Sequence, residues 1–75
     1  MDNTPFYENL ANAIVAQAAK DYLRALKQLK KYPKYEAALD RKKEIERFFH
    51  SEWYNHLTNV NADYLISQIE MAVSA

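Results

Sequence analysis

Apolar residues at Leu10, Ile14, Ala18, Tyr22, Ala25 and Leu29 recur every three or four positions, and nothing interrupts them before Pro33. That spacing predicts an amphipathic helix from about residue 5 to 31. Thr4 and Pro5 supply an N-cap and a proline at the first helical position, where its missing N–H costs nothing. Pro33 stops the helix and drives Tyr32 out of the helical region, so a sharp turn is expected at Tyr32-Pro33-Lys34. A second helix is expected over 35–49, carrying Ala38, Ile45, Phe48 and Phe49 on a narrow buried stripe. His50-Ser51 reads as an interruption, with Ser51 capping a short helix to about residue 58. One unbroken helix over 35–58 is the competing reading, and the residues leave both open. Asn61 is a good N-cap for a last helix over 62–73, with Asp63 in the first turn and Leu65, Ile66, Ile69, Ala72 and Val73 on one face. No period-two run suggests a strand. The expected fold is all-α: a long helical hairpin closed by a C-terminal helical segment, three to four helices in one domain spanning 1–75.

Composition narrows the chemistry. The 75 residues include no cysteine and no glycine, and only two prolines. Disulfides, thiolate metal sites and cysteine nucleophiles are therefore excluded, as are glycine-rich phosphate loops. A chain this short buries only about 60% of its unfolded surface, which leaves a marginal core. No apolar run reaches the ~20 residues of a transmembrane helix. The start, MDNTPFYENL, is acidic and polar where a signal peptide needs positive charge. An intracellular protein with no membrane association is expected.

Formal neutrality hides a strong asymmetry. All ten basic residues fall between Lys20 and Arg47 with only five acids among them, so that window carries +5 and the flanks −5. Lys20, Arg24, Lys27, Lys31 and Lys34 step by four, three, four and three, which places the first four on one helix face. Tyr32 and Tyr35 border this stripe. Lysines offer charge to phosphates and aromatic faces stack on bases, so these five residues are the candidate phosphate or nucleic-acid contacts. A solvated face with local pairs such as Asp40–Lys43 is the preferred reading, because a pI of about 6.7 is far from that of a typical nucleic-acid-binding module. The separation also suits head-to-tail association, the basic turn of one copy meeting the acidic end of another.

Two histidines follow glutamates by four residues, Glu46–His50 and Glu52–His56. Each pair shares a helix face and offers two metal ligands or an oriented imidazole, but zinc needs three or four ligands. Ser51 stands near both histidines without a nucleophile elbow or a glycine to build one. No catalytic, metal or cofactor residue is expected, and the chain reads as a non-enzyme. The aromatic set is richer than a small core requires. Phe48, Phe49, Trp53 and Tyr54 crowd into seven residues and cannot all point inward. In one arrangement Phe49, Trp53 and Leu57 pack inside while Phe48 and Tyr54 cover the hairpin. In the other, Phe48, Trp53 and Tyr54, with Tyr32 and Tyr35, form an interface, where such residues make effective anchors. Without disulfide or metal, a partner or a second copy is the readiest support for so small a core.

Asp21-Tyr22, Glu46-Arg47-Phe48-Phe49, Ser51, Trp53-Tyr54, Leu57-Thr58 and Tyr64-Leu65-Ile66 together resemble a group of small proteins encoded in phages, prophages and integrative elements of Gram-positive and gut bacteria. The similarity covers about residues 13–69. The group's pattern carries Asp-Gly where this chain has Asn61-Ala62, a change at a helix cap. The group has no assigned activity, so the resemblance implies a genomic setting and carries over no catalytic residue. In that setting the expected role is a cytoplasmic accessory protein of a mobile element that binds a host or phage protein, a host defence factor among them, and the small core and separated charge add the expectation of a homo-oligomer. The alternative is nucleic-acid or nucleotide binding through the basic stripe. A DNA mimic is excluded, because the acids are dispersed.

Overall fold

The computed structural model describes residues 4–74, with side chains from Asn9 onward. Four helices follow in order: α1 (Thr4–Lys31), α2 (Glu36–Phe49), α3 (Glu52–Leu57) and α4 (Ala62–Ser74). The described residues include no strand. The Thr4-Pro5 cap lies outside the described side chains. At 1.5 Å per residue α1 is about 42 Å long and accounts for most of the 50 Å long axis. The other three helices all pack on it.

The hairpin closes where proline ends α1. Tyr32 donates its N–H to the Gln28 carbonyl at 2.7 Å, and Tyr35 donates to the Tyr32 carbonyl at 3.1 Å. Pro33 between them has no N–H with which to continue the helix. Lys30 and Lys31 in the last turn of α1 and Glu36 in the first turn of α2 both complement the helix dipoles. The buried alanines Ala25 and Ala38, one on each helix, present only a methyl to the interior of the hairpin.

The chain breaks at His50-Ser51, which decides between the two readings of residues 35–58. Ser51 takes an extended conformation (φ −87°, ψ 159°). Its hydroxyl donates to the Phe48 carbonyl at 2.6 Å and accepts the Tyr54 N–H at 3.2 Å. One side chain thus serves a carbonyl at the end of α2 and an amide at the start of α3, groups that a helix end leaves unpaired. Asn61 caps the start of α4, its Oδ1 accepting the Tyr64 N–H at 3.0 Å. Lys30 Nζ reaches the Val73 carbonyl at 2.9 Å, so α4 ends beside the end of α1 and runs in the same direction.

The core is aromatic at its centre. Tyr22, Phe49 and Tyr54 are fully buried and Ile69 nearly so, with Val15, Ala19, Leu23, Leu26, Leu65 and Ile66 packed around them. Phe49 meets both tyrosines edge to face, at 5.6 Å and 5.7 Å between ring centroids. Such pairs add about 0.5–1.5 kcal/mol each beyond area burial.

Three apolar expectations fail. Leu10 and Ala72, assigned to buried faces, are exposed. One of the two arrangements left open for the crowded aromatics packed Trp53 inside behind Phe49, with Tyr54 outside. The structure reverses them, with Trp53 57% exposed and Tyr54 buried. The reason is the break: a spacing of four keeps two residues on one face only while the helix is continuous. The extended Ser51 resets the phase, and Tyr54, five residues after Phe49, becomes the inward position.

Candidate functional site

A shallow groove runs between α1 and α2 and is closed at one end by α3, with a volume of about 380 Å³. Ile14 and Ala18 from α1 and Ile45 and Phe48 from α2 form its apolar floor, and Trp53 of α3 stands at its edge. These α1 positions belong to the stripe one and two turns before Tyr22, so the groove is the continuation of the hairpin interface where the helices no longer meet fully. Leu10, four residues before Ile14 and exposed, extends the apolar strip along α1.

Trp53 is held from behind. Its ring stands edge to face on Phe48 at 5.5 Å and 76°. Phe48 in turn contacts Tyr54 at 5.8 Å and Phe49 at 5.8 Å, both buried rings. The exposed indole therefore rests on a support tied to the core. Asp21 and Glu44 add carboxylates to the groove lining, and Gln17 donates to Asp21 at 3.0 Å. The groove is apolar in its floor and acidic at its border.

Beneath it, the Tyr22 hydroxyl donates to Glu46 Oε2 at 2.7 Å, and Lys42 Nζ donates to the same oxygen at 2.9 Å. Burial pushes the Tyr22 phenol up, and the hydrogen bond to Glu46 pushes it further. Burial also pushes the Glu46 carboxyl up, but the hydrogen bonds from Lys42 and Tyr22 and the Lys42 charge outweigh it and hold the group below its ordinary value. Tyr54 donates its hydroxyl to the Val60 carbonyl at 2.9 Å, and burial raises its phenol too.

Of the expected interface residues, Phe48 and Trp53 share the groove. Tyr54 does not: fully buried, it offers no surface to a partner. Tyr32 and Tyr35 are exposed but sit at the hairpin tip, about 20 Å along α1 from the groove, so the five aromatics do not form one patch. Lys20, Arg24, Lys27, Lys31 and Lys34 are all exposed.

The histidine pairs are not made as spaced. His50 turns Nδ1 to the Glu46 carbonyl at 2.9 Å and Nε2 to the Asp63 carboxylate at 3.0 Å. Both partners are acceptors, an arrangement that favours the imidazolium, with a proton on each nitrogen. The Asp63 bond, then the Glu46 carbonyl, raises its pKa above the ordinary histidine value. This pair adjoins a polar hollow of about 500 Å³ lined by Asn55, Asn59 and Asn61, yet neither ring nitrogen is free to face it. Asp63 was not found from sequence as the partner of His50, because the two are separated by α3 and a loop. Glu52 and His56 form no ion pair among the described residues, and no three of their His, Asp and Glu side chains converge on a metal position. No described helix is long and apolar enough to cross a membrane.

Comparison with protein families, with curated proteins and with solved structures finds no match for this chain.

Proposed function

We propose that the chain is a non-catalytic interaction protein whose docking face is the α1–α2 groove with Trp53 as its anchor. The observation that carries this reading is the exposed indole braced on Phe48, which is itself fixed by buried rings. A large aromatic that is already immobile loses little entropy on binding, and tryptophan is the commonest kind of binding hot spot. The apolar floor and the carboxylates of Asp21 and Glu44 define the partner's chemistry: an amphipathic helix with an apolar face and basic flanks. The setting implied by the sequence resemblance makes this a small phage or mobile-element accessory protein in the bacterial cytoplasm. Its partner there is a host factor, a defence component among the candidates, and self-association through the same groove is the competing occupancy.

Trp53 is the chain's single tryptophan, so its emission reports the groove directly. A partner captured from host lysate is expected to shift that emission to the blue. Trp53→Ala should weaken capture by roughly thirtyfold, the ~2 kcal/mol of a hot spot. Lys27→Gln with Lys31→Gln, away from the groove, should leave capture unchanged. Equal capture by the wild-type and Trp53→Ala chains refutes the reading, and a concentration-dependent mass abolished by Trp53→Ala assigns the groove to a second copy.

A further inference from the structure

The hairpin tip carries a second surface that the groove does not use. Tyr32, Pro33 and Tyr35, flanked by Lys31 and Lys34, line an open hollow of about 660 Å³. The two tyrosine residues are 60% and 45% exposed, and Tyr35, at the N-cap of α2, makes no side-chain cap bond. Neither ring packs in the core. Two broad aromatic faces beside lysines, with no structural duty, are suited to stacking.

The tip is one end of a linear track. At 100° per residue, Lys20, Arg24, Lys27 and Lys31 fall within about 60° of one another and extend over about 16 Å of α1. Lys34 continues the series in the turn. Among the described residues no carboxylate lies within ion-pair distance of any of these five. Lys42 and Lys30 are tied down, the one paired with Glu46 and the other bonded to the Val73 carbonyl, while Arg41, Lys43 and Arg47 of α2 share the track's lack of an ion pair among the described residues. Lys31 holds its ammonium 5.9 Å from the centre of the Tyr32 ring, which joins the charged track to the aromatic platform.

We propose that this track binds single-stranded nucleic acid, with phosphates along Lys20, Arg24, Lys27 and Lys31 and unpaired bases stacked on Tyr32 and Tyr35. A duplex hides its base faces and leaves the rings unused. An anionic membrane would draw on the cations alone, by charge, and offers no base faces for the two rings to stack on. Net neutrality is no obstacle in itself: among the described residues no carboxylate pairs with the track, and acids beyond about 8–10 Å are screened.

The test is fluorescence anisotropy of a labelled short oligothymidylate with the full chain over a range of salt, beside a duplex of equal length and polyglutamate. If all five cations engage, log K against log salt has a slope near −3.5, at about 0.7 per cation for single strands. Lys27→Gln with Lys31→Gln should bring it to about −2.1. Tyr32→Ala with Tyr35→Ala should weaken strand binding roughly tenfold or more with the slope unchanged. All these sites are exposed, and circular dichroism checks that each variant remains folded. Trp53→Ala should bind the strand as the wild type does, which separates this surface from the groove. Three results overturn the proposal: no strand binding at low salt, a slope unmoved by the lysine changes, or duplex or polyglutamate bound as tightly as the strand.

Discussion

Replacing Tyr22 with phenylalanine removes one hydroxyl from the centre of the fold and leaves the ring in place. That hydroxyl donates at 2.7 Å to Glu46, whose same oxygen receives Lys42 at 2.9 Å. A hydrogen bond to a charged group contributes about 1.5–3 kcal/mol. The Glu46 side chain is 32% exposed, so water partly replaces the lost donor and screening lowers the figure. The expected loss is about 1–2 kcal/mol, several degrees of Tm at about 4–8 °C per kcal/mol for a domain of this size. The loss must also depend on pH. The Glu46 carboxyl is held below its ordinary 4.5 in the folded chain, so its contribution is present above that value and disappears as pH falls through the folded pKa. Tyr22→Phe lacks one of the lowering bonds, so its acid limb is shallower and the gap to wild type closes in acid. Urea and thermal unfolding at neutral pH and near pH 3 measure this. Glu46→Gln and the double variant complete a cycle with an expected coupling of about 1 kcal/mol. A gap that stays constant with pH, or survives in full in the Glu46→Gln background, refutes the assignment of the stabilisation to this bond.

Phe49→Ala removes the ring that both buried tyrosines contact edge to face; a loss of about 3–5 kcal/mol is expected. Total stability for 75 residues is about 4–11 kcal/mol, so the variant should lose most of its near-ultraviolet dichroism, and a sharp transition near the wild-type Tm contradicts the core assignment. The His50–Asp63 clasp joins the end of α2 to the start of α4 and faces the Glu46 carbonyl as well as the Asp63 carboxylate. With the folded pKa raised above 6.5, its contribution is complete below that value and lost as pH rises through the folded one. Tm between about pH 6 and 8 should fall in the wild type and flatten in Asp63→Asn, and an unshifted His50 resonance in a proton-detected titration argues against the clasp.

The fold was largely legible because its punctuation is local. Pro33 ends α1 by its own covalent geometry, and Ser51 and Asn61 cap the helices that follow through bonds spanning three residues. The basic stripe was legible for the same reason, since residues three and four apart on one helix share a face wherever the rest of the chain goes. The candidate groove was half legible. Phe48 and Trp53 stood out as surplus aromatics, but their separation from Tyr32 and Tyr35 depended on the direction in which α2 returns along α1.

What the residues alone determined, then, is the all-α class, the end of α1 at Pro33, the start of α4 at Asn61 and the line of cations along α1, while one helix or two over 35–58 was left to the structure. Tertiary structure decided which aromatic faces inward and which partner each polar group takes. Trp53 and Tyr54 are adjacent and both suit a core. The phase set by the Ser51 break and the place beside Phe49 admit only one of them. Glu46 bonds Tyr22 rather than His50, and His50 bonds Asp63 rather than the Glu46 carboxylate, because packing brings together groups 24 and 13 residues apart. Periodicity carries information over one or two helical turns, and contacts at those separations are fixed only when the helices meet.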